Sequence, residues 1–273
     1  MRIALAQILA GTDPTANLEL VADYTRRAAD AGAQLVVFPE ATMSRLGVPL
    51  APIAEPIDGP WADAVRGIAA TAGITVFAGM FTPASDGRVT NTVLATGPDV
   101  EARYDKIHLY DAFGVTESRS VTPGHEPVVV EVGGVGVGIT VCYDIRFPAL
   151  YTELADRGAS VITVSASWGA GPGKLDQWTL LARARALDST CIIAAAGQGY
   201  PGPEMAAASK APTGVGGSLL CSPLGEILAQ AGPNPQLVVG DADVATVSAA
   251  RQTLAVLRNR SEFAQTDRAE SRA

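Results

Sequence analysis

The chain has 273 residues, 48% of them hydrophobic, and a formal charge of −8 with a pI near 4.8. That apolar content can build a substantial core, and the acidity, with no basic run anywhere, excludes nucleic acid and anionic membrane as partners, because both are bound through clustered Lys and Arg. Cys142, Cys191 and Cys221 are an odd set at wide spacing, which does not suit a disulfide framework and fits a reducing, cytoplasmic compartment.

Met1 to Leu9 is interrupted by Gln7 and followed by Gly11 and Asp13-Pro14, so it reads as a first strand rather than a secretory segment. No apolar run is long enough to span a bilayer. Asp13-Pro14 caps a helix over 15–31, with Leu18, Val21, Ala22, Thr25, Ala28 and Ala29 on one face and Gly32 as its stop. Leu35 to Phe38 reads as a buried strand ending at Pro39-Glu40. A carboxylate there is costly unless a partner meets it. A Pro-rich loop over 47–60 leads to a helix over 61–72 stopped by Gly73, then a strand over 74–80. Segments 89–95 and 100–104, separated by Gly97-Pro98-Asp99, form a hairpin that runs into Asp105-Lys106-Ile107-His108-Leu109-Tyr110. Lys106 thus stands at another strand end.

After a stretch of loop composition over 111–127, strands are expected over 128–132 and 135–141. The second delivers Cys142 to a sharp turn, and Arg146-Phe147-Pro148 starts a helix over 148–157 with Pro in its first turn. A thiol near a helix N-terminus is expected to favour the thiolate. A strand over 160–165, a glycine-rich turn over 168–173 and a helix over 174–189 follow, the helix with an apolar stripe at Leu180, Ala184 and Leu187. Then come a strand over 191–196, a Gly/Pro/Ala-rich loop to Pro212, strands over 217–221, 227–230 and 237–242, and a helix over 244–257. Residues 258–273 form a charged, extended tail. Strands and helices alternate without a linker of shifted composition, which predicts one α/β domain over 1–257. The two halves share one order of elements, and so many short strands fit two sheets packed face to face with helices outside.

Several glycine-rich stretches do not carry a cofactor. Gly133 to Gly138 never sets three glycines at dinucleotide-binding offsets, and it precedes a strand where that motif should follow one. Gly169 to Lys174 lacks the first glycine of a phosphate loop and has Leu175 where Ser or Thr would hold magnesium. Gly216 to Leu220 lacks the final glycine of a serine nucleophile elbow. His108 and His125 are not at metal-ligand spacing to the cysteines, and His108 reads as a hydrogen-bonded structural residue.

What remains is Glu40, Lys106 and Cys142, each at a strand end. Singly they read as a loop cap, a snorkelling cation and a core thiol. Together they are the set that a thiol amidase without histidine needs: a carboxylate to move the proton, a lysine to hold charge on the carbonyl oxygen, and a nucleophile.

Phe38-Pro39-Glu40, Tyr104 to Tyr110 and Cys142-Tyr143-Asp144-Ile145-Arg146-Phe147-Pro148, in that order, resemble the carbon-nitrogen hydrolases of the nitrilase superfamily. The likeness extends to Glu117-Ser118 with Pro123-Gly124, to Trp178 with Leu181 to Ala186, and to Gly217-Ser218 with Pro223-Leu224-Gly225. It implies a four-layer αββα sandwich, a homodimer or larger assembly with the tail reaching toward the partner, and no cofactor or metal. It also implies a catalytic triad of Glu40, Lys106 and Cys142, with Glu117 positioning substrate and the Tyr143 amide joining Lys106 around the oxyanion.

Tyr143-Asp144 with Arg146-Phe147-Pro148 looks like the amidase branch that holds ω-amidases and deaminated-glutathione amidases. Ser165-Ala166-Ser167-Trp168 and Gln177-Trp178 depart from that branch, so the acyl group is open, and Ser167 and Trp168 are expected to border the substrate pocket. Arg146, Arg183 and Arg185 either grip a substrate carboxylate or form ion pairs with Asp144, Asp188 or Glu153. A nitrile or N-carbamoyl hydrolase would share the triad, and a silent scaffold would be expected to have lost part of it.

Overall fold

Along Arg2–Gln7 the side chains alternate, Ile3 and Leu5 toward one side and Ala4 and Ala6 toward the other, and all four are buried. A strand with both faces buried belongs in the middle of a layered α/β structure. The computed structural model describes residues 1–261, so residues 262–273 of the expected tail lie outside the described residues. In the first half the elements are β1 (Arg2–Gln7), α1 (Pro14–Asp30), β2 (Leu35–Val37), α2 (Pro60–Ala72), β3 (Thr75–Pro83), β4 (Val89–Gly97) and β5 (Val100–Asp105). The second half runs β6 (Val129–Val132), β7 (Val135–Val141), α3 (Pro148–Asp156), β8 (Val161–Ala166), α4 (Lys174–Ser189), β9 (Ile192–Gly197), α5 (Pro203–Ala208), β10 (Leu219–Cys221), β11 (Ile227–Gln230), β12 (Gln236–Asp241) and α6 (Ala245–Leu254).

Two six-stranded sheets result, ordered β12-β1-β2-β3-β4-β5 and β11-β10-β9-β8-β7-β6. In the first, β1, β2 and β3 are parallel while β12, β4 and β5 pair antiparallel. The second repeats the plan with β7, β8 and β9 parallel. The likeness of the two halves is therefore a likeness of two sheets. The ends of β2 and β8 are counterparts, and they meet: the Ser165 hydroxyl donates to the Phe38 carbonyl across 2.7 Å.

The core between the sheets holds Ile3, Leu5, Val37 and Phe77 against Val137, Ile139 and Val161. Ala4, Ala6, Val36 and Val76 face the other way, onto Val21, Ala28, Val65 and Ala69 of α1 and α2. Helices α3 and α4 cover the second sheet, giving the αββα sandwich. The caps follow the chain's own punctuation. The Asp13 side chain accepts from the Thr15 amide at the start of α1, Pro148 occupies the first turn of α3, and Gly73 closes α2 in the left-handed region at φ 67°.

Three expectations need correction. The loop before Pro212 contains the short helix α5. The stretch over 111–127 contains a single 3-10 turn, Glu117–Arg119. The stripe of Leu180, Ala184 and Leu187 points outward: the buried face of α4 is Trp178, Ala182, Arg185, Ala186 and Ser189, leaving Leu180 65% exposed.

Candidate active site

The chain leaves β2 through Phe38-Pro39 and turns so sharply that Ala41 has φ 60°. Left-handed backbone at a residue with a Cβ stores strain that surrounding contacts must hold. Glu40 sits inside this turn, 1% exposed. Its Oε1 accepts from Lys106 Nζ at 2.9 Å and Asn91 Nδ2 at 2.8 Å, and its Oε2 accepts from the Ser167 amide at 3.0 Å. Gln198 Nε2 donates to the Glu40 carbonyl. The turn lies directly against Gly79 of β3, where a Cβ would be 2.8 Å from both the Ala41 nitrogen and the Pro39 oxygen. Gly79→Ala is therefore expected to push Glu40 out of register and lower kcat more than tenfold, at a stability cost of about 1–3 kcal/mol. Paired kinetics and urea unfolding measure both.

Lys106 follows β5 and is 2% exposed. Besides Glu40, its ammonium reaches both oxygens of Glu117, at 3.1 and 2.9 Å. Glu117 is held by the Tyr110 amide at 2.6 Å and by Asn91 at 3.2 Å. Burial by itself would lower the lysine's pKa. The charges of Glu40 and Glu117 outweigh it and hold Lys106 well above the ordinary lysine range, so it remains an ammonium.

Cys142 ends β7 with φ 46° and opens the 3-10 turn Cys142–Arg146. Burial, and then the negative charge of Glu40, push its thiol well above the ordinary cysteine range, more than Lys106 lowers it. The expected thiolate preference from a helix N-terminus is thus reversed: Cys142 rests as a thiol and needs a base to react. The elbow is pinned by Asp144, which is fully buried. Its Oδ2 accepts from Tyr104 Oη at 2.7 Å and the Val141 amide at 2.9 Å, and its Oδ1 accepts from the His108 amide at 3.0 Å and lies 2.8 Å from His108 Nδ1. Tyr104 and His108 flank Lys106, so one carboxylate ties the lysine segment to the cysteine elbow.

Glu40, Lys106, Glu117 and Cys142 come together on one cavity of about 230 Å³, with apolar walls that include Leu46, Leu50, Val115 and Val121. Tyr143 packs its ring edge-on against Tyr110 at 5.1 Å beside the thiol. Ser167 is at the site, with its amide on Glu40 and its hydroxyl on the Pro212 carbonyl at 2.9 Å. Trp168 is buried and donates from Nε1 to the Lys174 carbonyl. Of the three arginines, Arg185 pairs with Asp188 at 2.7 Å and Arg183 donates to the Gly225 carbonyl, while Arg146 meets none of the expected acids. Asn91, Asp144 and Gln198 were not singled out as site residues.

Two carboxylates, an ammonium and a thiol thus share one cavity of an αββα sandwich. The chain belongs to the carbon-nitrogen hydrolase family, whose model matches residues 2–252, within the nitrilase superfamily. It is 68% identical over 279 residues to the hydrolase Rv0480c of Mycobacterium tuberculosis, covering 100% of both chains. It is 34% identical over 268 residues to the deaminated glutathione amidase of Escherichia coli O157:H7, covering 95% of this chain and 97% of the relative. Among solved structures, the NitN amidase of Nesterenkonia sp. AN1 superposes with a TM-score of 0.79 at 29% identity, covering 95% of this chain and 96% of that one. Among the described residues no helix is long and apolar enough to cross a membrane.

Proposed function

We propose that the protein is an amidohydrolase that cleaves a small carboxamide to a carboxylic acid and ammonia through a thioester on Cys142. The observation that carries this reading is the Lys106 ammonium, held 2.9 Å from both Glu40 and Glu117 on the cavity that Cys142 also lines. Glu40 takes the thiol proton, and the thiolate attacks the amide carbon. The oxyanion forms against Lys106 Nζ and the Tyr143 amide. As the C–N bond breaks, Glu40 returns the proton to nitrogen and ammonia leaves. Water then enters, Glu40 takes its proton, and hydroxide attacks the thioester. The C–S bond breaks to give the acid, and the proton returns to sulfur. Glu117 holds the lysine and receives the amide NH2, while Trp168 and Ser167 border the acyl group.

The cavity is smaller than the 300–1,000 Å³ of drug-sized pockets, which supports a short acyl group. The substrates this reading favours are an ω-amide of a dicarboxylate, which releases ammonia, or deaminated glutathione, in which the same kind of short acyl group would leave cysteinylglycine in place of ammonia, in line with the name of the Escherichia coli relative. A variant of the Nesterenkonia amidase takes the acetamide moiety of fluoroacetamide covalently on its active-site cysteine, which supports a thiol nucleophile here. Leu180 and Leu187 on the outward face of α4, together with Leu224, Ile227 and Leu228, are exposed apolar side chains, which supports a homodimer that buries them.

The test is ammonia release from ω-amides, aliphatic amides, nitriles and N-carbamoyl amino acids, together with cysteinylglycine release from deaminated glutathione. Amides are expected to be turned over, and Cys142→Ala is expected to abolish release while leaving the fold intact. Ammonia from Cys142→Ala at the wild-type rate would remove the thioester from the account. Faster turnover of a nitrile or a carbamoyl compound would move the protein to that neighbouring reaction.

A further inference from the structure

Gln198, which follows β9 in the second half, spends both ends of its side chain on backbone of the first half, and it is 3% exposed. Its Oε1 accepts from the Ala10 amide at 3.0 Å, and its Nε2 donates to the Glu40 carbonyl at 3.1 Å. Its own amide donates to the Ala166 carbonyl at 3.0 Å, and the next residue, Ser167, carries the amide that holds Glu40 Oε2. Gln198 therefore braces Glu40 on two sides, directly at its carbonyl and through the strand end beside its carboxylate. It is not among the walls of the cavity, so any effect on turnover must pass through Glu40.

The carbonyl that Gln198 holds belongs to the Glu40–Ala41 peptide, whose orientation sets φ of Ala41. That φ is 60°, in the left-handed region that a residue with a Cβ avoids. Turning the peptide over would return Ala41 to negative φ and release the strain. The neighbouring tethers grip other groups: the Ser165 hydroxyl holds the Phe38 carbonyl, the Thr42 hydroxyl holds the Pro39 carbonyl at 2.7 Å, and the Met43 amide donates to Gly79. Among the described residues no other group donates to the Glu40 carbonyl. The glutamine also reads which way the peptide points. A side-chain amide has one acceptor end, and the Ala10 amide, which can only donate, claims it. Only the NH2 end then faces Glu40, and it accepts a carbonyl there but rejects the N–H of a turned peptide. The same rotation changes ψ of Glu40, so the carboxylate would lose the base from which Oε1 meets Lys106 and Oε2 meets Ser167. We propose that Gln198 is a positioning residue for the acid–base step: by holding the Glu40–Ala41 peptide in its strained orientation, it keeps the Glu40 carboxylate aimed at the Cys142 thiol. This inference rests on the amidase reading and adds to it a residue outside the cavity on which the proton transfers depend.

The experiment uses Gln198→Met, which keeps the length of the side chain but cannot donate, and Gln198→Asn, which keeps the amide but is too short to span both bonds. With butanamide as substrate, Gln198→Met is expected to lower kcat about tenfold to a hundredfold with KM little changed, the scale of a misplaced catalytic group. Gln198→Asn should show the same split between kcat and KM, and it carries the test if Gln198→Met does not fold. Ala41→Gly is the rescue. Glycine takes φ 60° without strain, so adding it to either variant should restore kcat by about fivefold or more. The thiol reports without any turnover. The Glu40 charge helps to hold the Cys142 thiol high, so loss of aim should let Cys142 ionise at lower pH than in the wild type, read by thiolate absorbance against a Cys142→Ala blank. Wild-type kcat with an unmoved thiol titration overturns the positioning role, as does a loss carried by KM or one that Ala41→Gly leaves untouched. If the wild type hydrolyses no amide, the amidase reading itself fails and the titration alone decides Gln198. A shift that Ala41→Gly reverses supports it, and an unmoved thiol overturns it.

Discussion

Lys106→Met is expected to lower kcat about a hundredfold to a thousandfold, or roughly 2.7–4 kcal/mol, the usual loss on removing one preorganised oxyanion donor. The methionine fills the space of the lysine stem but leaves Glu40 and Glu117 buried without the ammonium they share. Removing one partner from a buried ion pair costs about 3–5 kcal/mol of stability, so this variant should unfold at clearly lower urea than the wild type at pH 7. The pH dependence has a definite sign. Because the folded pKa of Lys106 is raised, its contribution is complete below the ordinary lysine value of about 10.4 and is lost as pH rises through the higher folded value. The stability gap between variant and wild type should therefore be constant from neutral pH to about 10 and narrow above it. Equal urea midpoints at pH 7 would show that the buried pairs do not hold the site together.

Glu40→Gln separates the acid–base role from the nucleophile. The amide keeps the shape and can still accept from Ser167, but it cannot take a proton. Turnover should fall by about a hundredfold to ten-thousandfold. The thiol should move the other way. Burial and the Glu40 charge are the two leading causes of its raised pKa, and the substitution removes the second while Lys106 remains. Cys142 should thus ionise at lower pH in Glu40→Gln than in the wild type, read from thiolate absorbance near 240 nm with Cys142→Ala as the blank. An acid whose folded pKa is raised binds more protons folded than unfolded, so the wild type loses stability as pH climbs above the ordinary thiol value of about 8.5. Glu40→Gln should lose less over that window. A variant slow in turnover but with an unchanged thiol titration would place Glu40 away from Cys142 in solution.

Much of the site is legible because two apolar runs stop at Glu40 and Cys142, residues that have no reason to end an apolar run, and a third strand ends at Lys106 beside apolar neighbours. The Phe38-Pro39-Glu40 turn, the Lys106 strand end and the Cys142 elbow could each be placed from local pattern, and parallel strands send their ends to one edge of the sandwich. Residues whose meaning depends on distant partners were not legible. Glu40 is 51 residues from Asn91 and 158 from Gln198, and Asp144 is 40 from Tyr104, so no local spacing announces those bonds. The α4 stripe shows a different limit. Leu180, Ala184 and Leu187 have the spacing of a helix face, but periodicity does not say which face meets the core. Small residues and Trp178 fit the close approach to the second sheet, and the leucines are left outside. The raised thiol of Cys142 is likewise not a local property: a helix terminus can be read from neighbouring residues, whereas Glu40 arrives from another sheet.

The central claim is that Cys142 carries the acyl group between the loss of ammonia and the arrival of water. It is tested most directly by quenching the wild-type enzyme in acid during its first turnovers of a primary amide and weighing the intact protein. The account predicts a gain equal to the substrate mass less ammonia, located on the peptide that holds Cys142 and released by hydroxylamine as the hydroxamate. Continued ammonia release with no such adduct, undiminished in Cys142→Ala, would contradict it.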